Sequence, residues 1–310
     1  IPQCRFCESD ITADNRSPVD PPSPALEHVC SEAECQEKMA ASCTKTLPCG
    51  HLCGGVRGGE TCLPCYQGCD GVCPEGDSYC MICYTEPLQQ APTLVLPCGH
   101  AFHHQCAGQI LKNRWNGARI SFGFMGCPLC KVPIEHPTLT DLTTPLLDLR
   151  KLVREKALMR LKYEDKDKSP ELTTKGHPFY NDPEGFAESI FSYYQCAKCD
   201  KPYYGGLRAC GEAGGEVDRS ELICGACAPW SGEIDCPKHG KDFIEWKCRF
   251  CCSTAVWFCG GTTHYCEPCH SGSCGTTGPC PWVAGKAYDG DECPLGIDHP
   301  PAGEEFPLGC

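Results

Sequence analysis

With 33 cysteines, 33 glycines and 28 prolines among 310 residues, the chain is too broken by turn formers to rest on one large apolar core, and cysteine chemistry must supply much of its stability. The formal charge of -13 argues against a nucleic-acid module, which needs a basic surface for phosphates, and no apolar run approaches the roughly 18 residues that span a bilayer. The cysteines fall mainly into two-residue-spaced pairs with histidines nearby, a metal-site pattern unlike the disulfide framework of a secreted chain, and no signal peptide opens the sequence. A reducing compartment, the cytoplasm or the nucleus, is expected, with several small loop-rich zinc modules; Ile1 in place of an initiating methionine suggests a piece of a longer protein.

Residues 1–75 form a first zinc-binding region. Its candidate ligands are Cys4, Cys7, Cys30, Cys35, Cys49, His51, Cys53, Cys62 and Cys65, with Cys43, Cys69 and Cys73 also present, enough for roughly two or three ions. Asp14 to Pro24 is rich in proline and polar residues and is expected as an exposed loop. Cys30 to Met39 is expected as a short helix with Ser31 as its cap. The sequence favours a structural or partner-binding role here.

Residues 76–136 hold eight donors in order: Cys80, Cys83, Cys98, His100, His103, Cys106, Cys127 and Cys130. Tetrahedral zinc takes four thiolate or imidazole donors, and two residues between paired cysteines let both sulfurs reach one ion. This spacing resembles a RING-H2 finger. In the cross-braced order that the resemblance implies, Cys80, Cys83, His103 and Cys106 hold one ion, while Cys98, His100, Cys127 and Cys130 hold the other. Both sets are closed, so the metal is structural. The resemblance also implies docking of a ubiquitin-loaded E2 enzyme on Ile82 and Pro128, with Lys131 where many RING fingers place a ubiquitin-steadying arginine. Apolar positions at Ala107, Ile110, Leu111 and Trp115 predict a helix over Gln105 to Trp115 packed on the zinc core.

Residues 137–195 read as linker helices. Thr144 as cap, Pro145 in the first turn and Leu146, Leu149, Val153 and Ala157 at helical spacing predict a helix to about Tyr163. Asp165 to Gly176 is polar and expected as a mobile link. Phe186, Ile190, Phe191 and Tyr194 predict a second helix over Tyr180 to Tyr194, entered through Asn181, Asp182 and Pro183.

Residues 196–310 are a second cysteine-rich domain. Cys196 with Cys199, Cys224 with Cys227, Cys236 with His239, Cys248 with Cys251 and Cys266 with Cys269 are its pairs, and Cys280, Cys293, His299 and Cys310 follow at wider spacing. About four ions fit this number of donors. Cys210 stands apart among Gly205, Gly206, Gly211, Gly214 and Gly215. Such a backbone suits a residue that swings between two sites more than one that holds a metal still, and a thiol readily accepts an acyl group from another thioester; an inert loop cysteine or a distant ligand is the alternative. Cys259 is the second leftover. His270 beside Cys269 can serve as a general base toward it or, with His264, as a zinc ligand. Cys252 reads as a buried or spare cysteine and Cys274 as a loop cysteine.

A RING, a linker helix and a tandem-cysteine domain in this order resemble the RING-Cys-relay ubiquitin ligases of the Myc-binding protein 2, Pam and Highwire family. Matching stretches include Met81-Ile82-Cys83, Asn113-Arg114-Trp115, Lys156 to Leu161, Glu221 to Cys227, Cys236 to Gly240 and Gly261-Thr262-Thr263-His264. The likeness runs from about Cys80 to Cys310, and into the earlier zinc region through Cys53-Gly54-Gly55-Val56. The resemblance implies small zinc-rich α+β modules and a two-cysteine relay: ubiquitin passes from the E2 to Cys210, then to Cys259, then to a threonine or serine hydroxyl of a protein substrate as an ester. It implies His270 as base and Glu221 in the same site, and a cytoplasmic, neuronal or axonal setting. Gly260 stands where the family has an aromatic residue; Tyr265 keeps an aromatic at a second position. Two other functions compete: an adaptor RING ligase in which the E2 transfers directly to lysine, and a non-catalytic zinc scaffold.

Overall fold

The computed structural model describes residues 1–69, 76–207, 218–227, 236–240, 243–259, 263–272 and 293–310. They fall into two compact units, one built from 1–114 with 122–147 and the other from 115–121 with 148–310.

In the first unit, α1 (Ala33–Ala41) begins three residues after the expected start at Cys30, with Glu32 at its N-terminus and no side-chain cap. Metal-ligand packing explains the delay: the Cys30 N–H donates to Cys4 Sγ at 3.4 Å and Cys30 bridges to Arg16, so its backbone is committed before the helix starts. Strands β1 (Thr93–Val95) and β2 (Ala101–His103) pair antiparallel around the Gly99 turn, whose φ of 85° suits a residue without a Cβ. Helix α2 (His104–Asn113) follows directly. It buries Ala107 and Leu111 against Leu94, Leu96, Phe102, Met125 and Leu139; Phe102 is fully buried, a burial worth about 1.5–3 kcal/mol. The helix ends before Trp115, because Arg114 turns the chain at a φ of 58°.

Helix α3 (Thr140–Tyr163) starts four residues earlier than Thr144. A 3-10 turn at Pro137–Leu139 already supplies the start: His136 Nδ1 accepts from Thr138 N at 3.3 Å and Thr140 Oγ1 donates to the Pro137 carbonyl at 2.8 Å. Pro145 therefore lies inside the helix. Leu146, Val153, Ala157 and Leu161 are its buried stripe.

The second unit also departs from expectation after α3. Residues expected as a mobile link contain a 3-10 turn (Lys166–Lys168) and α4 (Pro170–Thr173), and Leu172 is buried with its carbonyl accepting from Asn181 N at 3.1 Å. Helix α5 (Pro183–Ile190) is capped by Asp182, which accepts from Gly185 N at 2.9 Å. It stops well short of Tyr194, because Phe191–Gln195 is strand β3. The aromatic run of β3 suits a pleated surface and pairs with β4 (Pro202–Leu207), Tyr193 opposite Tyr204 and Tyr194 opposite Tyr203. After β5 (Glu245–Trp246) come β6 (Trp257–Cys259), β7 (Thr263–Tyr265), the single turn α6 (Glu267–His270) and β8 (Pro307–Gly309). The main sheet has the order β3-β4-β6-β7, all neighbours antiparallel, and β5 pairs with β8. Residues 115–121 join this unit through Ile120 N, which donates to the Tyr193 carbonyl at 2.8 Å.

Candidate active site

Two four-donor groups occupy the Cys80–Cys130 segment. Cys80, Cys83, His103 and Cys106 form one, and Cys98, His100, Cys127 and Cys130 the other, the ligand atoms of each lying within 4.8 Å of one another. The hairpin and α2 bring the first set together: His103 ends β2 and Cys106 lies in the first turn of α2. His103 Nδ1 is 3.7 Å from Cys83 Sγ and 3.8 Å from Cys106 Sγ, while its Nε2 lies 3.0 Å from the Pro87 carbonyl. That outer contact leaves Nδ1 for the metal. A hydrogen bond from Cys106 holds the Cys80 thiol down to about 3, and Cys106 is pushed up in turn. In the second set His100 Nδ1 is 3.4 Å from Cys98 Sγ and 3.6 Å from Cys127 Sγ. The donors are those zinc takes at closed structural sites.

Ile82 is half-buried against the core of this segment, with its neighbour Met81 exposed, as is Leu129 next to Pro128. Lys131, at a φ of 66°, donates from Nζ to the Pro128 carbonyl at 3.0 Å. The structure thus brings Pro128 and Lys131 into contact.

In the first region Cys4, Cys7, Cys30 and Cys35 converge, as do Cys49, His51, Cys65 and Cys69. Cys69, one of the further cysteines of this region, brings its Sγ within 3.4 Å of His51 Nδ1, as does Cys65. Cys53 packs with Cys43, and Cys62 lies against the same cluster.

Four groupings appear in the last domain among the described residues. Cys196, Cys199, Cys224 and Cys227 converge. Cys248, Cys251, Cys266 and Cys269 cluster, Cys251 Sγ lying 3.4 Å from Cys266 Sγ and 3.7 Å from Cys269 Sγ. Lys247, fully buried beside them, donates from Nζ to the Cys248 carbonyl at 2.9 Å, a cation placed where four thiolates and one zinc ion would leave excess negative charge. His239 Nδ1 lies 3.8 Å from Cys236 Sγ and 3.2 Å from Cys310 Sγ, a partner 71 residues away. Cys293 Sγ lies 3.0 Å from His299 Nε2 and packs with Cys252, which is buried, the first of the two readings its sequence position allows. Cys280, Cys274 and Cys73 lie outside the described residues.

Cys259 ends β6, opposite Thr263 of β7. Side chains alternate along a strand, so Cys259 shares a face with Trp257, while Phe258 points the other way. His270, the last residue of α6, stacks on Trp257 with ring centroids 4.8 Å apart and an interplanar angle of 23°. It therefore sits on the Cys259 side of the strand. Tyr265, opposite Trp257, meets the His270 ring edge-on at 5.9 Å. Four cysteines already make up the neighbouring cluster, so a zinc ion there needs no histidine. His264 takes the opposite face, stacked on Phe258 and Trp246, with Nδ1 2.6 Å from Glu305 Oε2. Burial holds its imidazole below the usual range, against the pull of that carboxylate. Glu221 is exposed in a 3-10 turn (Arg219–Glu221), and among the described residues its carboxylate makes no hydrogen bond to Cys259 or His270. Cys210 lies outside the described residues; Leu207, three positions before it, donates to the Val256 carbonyl at 3.2 Å, beside the Cys259 strand.

Residues 78–131 match the Ring finger domain family. The chain is 47% identical over 322 aligned residues to the E3 ubiquitin-protein ligase MYCBP2 of Danio rerio, an alignment that covers 99% of this chain and 7% of that protein. It is 44% identical over 342 aligned residues to the E3 ubiquitin-protein ligase highwire of Drosophila melanogaster, covering 100% of this chain and 6% of that protein. The chain thus spans less than a tenth of the length of these relatives.

Proposed function

This chain belongs to the family of MYCBP2 and Highwire, and on that premise we propose that it is the catalytic part of an E3 ubiquitin ligase that works by a two-cysteine relay. The RING accepts a ubiquitin-loaded E2, with Ile82 and Pro128 on the docking surface and Lys131 toward ubiquitin. The Cys210 thiolate attacks the E2 thioester carbonyl, and the E2 thiolate leaves. Cys259 then takes ubiquitin from Cys210 by the same exchange, which is nearly neutral in free energy because one thioester replaces another. In the last step a threonine or serine hydroxyl attacks the Cys259 thioester. His270 takes the hydroxyl proton, an ester forms and the Cys259 thiolate leaves. Zinc serves structure throughout, and the setting is the cytoplasm.

The observation that carries this reading is the face of β6 that holds Cys259 and Trp257, with the imidazole of His270 stacked on that indole. A neutral hydroxyl is a weak nucleophile and needs a base within reach of its proton. The test mixes zinc-loaded chain, ubiquitin-charged E2 and free threonine. Relay requires a ubiquitin adduct on the chain that reducing agent removes, followed by a threonine adduct that reducing agent leaves intact. E2 discharge to lysine with no adduct on the chain would make this an adaptor ligase instead.

A further inference from the structure

The indole of Trp257 holds both ends of the one-turn helix that carries His270. Its Nε1–H donates to Glu267 Oε2 at 2.6 Å, and its ring stacks under the His270 imidazole at 4.8 Å. Glu267 and His270 are the first and last residues of α6. A helix of one turn does not hold its shape alone, because nucleation fixes several residues for very few hydrogen bonds. Cys266 and Cys269 anchor its backbone in the thiol cluster, and His270 N donates to the Cys266 carbonyl at 2.9 Å. A backbone anchor by itself does not fix how the imidazole turns about its side-chain bonds. The indole stack restricts that freedom, and the strand carrying the indole carries Cys259 two residues later, on the same face.

We infer that Trp257 is a positioning residue, which sets the His270 imidazole against the thioester on Cys259 and so governs transfer to the hydroxyl acceptor. The inference rests on the relay proposed above. It assigns Trp257 no contact with substrate: the residue acts through His270, and Glu267 acts through Trp257. A base misplaced by about 1 Å can lose on the order of a hundredfold in rate. Loss of the clamp should therefore slow the final transfer by roughly ten- to hundredfold, with a much smaller effect on arrival of ubiquitin at Cys259.

The test uses the whole zinc-loaded chain in single turnover, following thioester formation on Cys259 and then its threonine-dependent discharge. Trp257→Leu keeps apolar bulk and should accumulate thioester that discharges slowly. Trp257→Phe keeps a ring for the stack and should recover part of the rate. Glu267→Ala removes only the indole's acceptor and should give an intermediate loss, and it decides the matter if Trp257→Leu loses zinc. The Trp257→Leu/His270→Ala double variant should discharge no slower than His270→Ala alone, an outcome that a merely structural role for Trp257 would not give. Wild-type discharge in Trp257→Leu, or in Glu267→Ala where Trp257→Leu loses zinc, overturns the inference, as does a double variant slowed by the product of the two single effects. If the unaltered chain forms no thioester on Cys259, the relay reading itself has failed.

Discussion

Gly206 faces Trp257 across the β4–β6 ladder at a φ of 102°, and a Cβ built there would lie 2.9 Å from the Val256 carbonyl oxygen and 3.0 Å from the Phe258 nitrogen. Glycine is required twice over, by its left-handed backbone and by the closeness of the neighbouring strand. The strand that leads toward Cys210 is thereby held against the strand that ends in Cys259.

Gly206→Ala should therefore destabilise the second unit by roughly 2–4 kcal/mol, from backbone strain and overpacking together. Denaturant unfolding at fixed zinc concentration measures this. A loss below about 0.5 kcal/mol, the scale of an ordinary surface substitution, would mean that the two strands part easily.

Complete removal of zinc should unfold both cysteine-rich regions and the RING together. A structural zinc site supplies about 10–16 kcal/mol of folding free energy, comparable to or above the whole stability of a typical domain, about 5–15 kcal/mol. Circular dichroism and melting before and after chelation provide the check. A cooperative melt that survives complete chelation would show that the apolar clusters, such as that around Phe102 and Leu111, suffice alone.

The parts of this fold legible in sequence are those fixed by local spacing. The eight RING donors stand in order along the chain, and α2 announces itself through Ala107 and Leu111. What spacing misses is set by distant partners. Cys310 meets His239 and Cys252 meets Cys293 across loops that no motif encodes. Phe191 and Tyr194 fit a helical stripe as well as a strand, and only the aromatic face of β4 decides between them. Sequence leaves the place of His270 open for a similar reason: a histidine beside a cysteine pair serves as ligand or base according to what else fills the zinc site, and four sulfurs gather there from residues 248 to 269.

Ile82→Ala should slow discharge of the loaded E2 by about tenfold or more, the cost of losing a docking contact worth somewhat over 1 kcal/mol. Ile82 is only half-buried against the core and is not a ligand, so zinc content and circular dichroism should stay near those of the unaltered chain. E2 discharge at the original rate would remove Ile82 from the docking surface.

The order of the two relay cysteines gives the sharpest prediction. On the proposed relay, Cys210 receives ubiquitin first, and Cys259, on a paired strand with His270 on its face, makes the final transfer. Cys210→Ser should block the relay at its first step, with ubiquitin held on the new hydroxyl as an oxyester, because the ester carbonyl is a poor donor to Cys259. Cys259→Ser should still allow a thioester on Cys210 but stop transfer to free threonine. His270→Ala should permit both loadings and slow only ester formation, by the roughly 10²- to 10⁴-fold typical of a lost general base. Single-turnover transfer of labelled ubiquitin separates these steps, since reducing agent cleaves a thioester and spares an ester or amide. A Cys210→Ser chain that modified threonine at the original rate would leave Cys259 to load directly from the E2, and the glycine-rich segment would have no part in the chemistry.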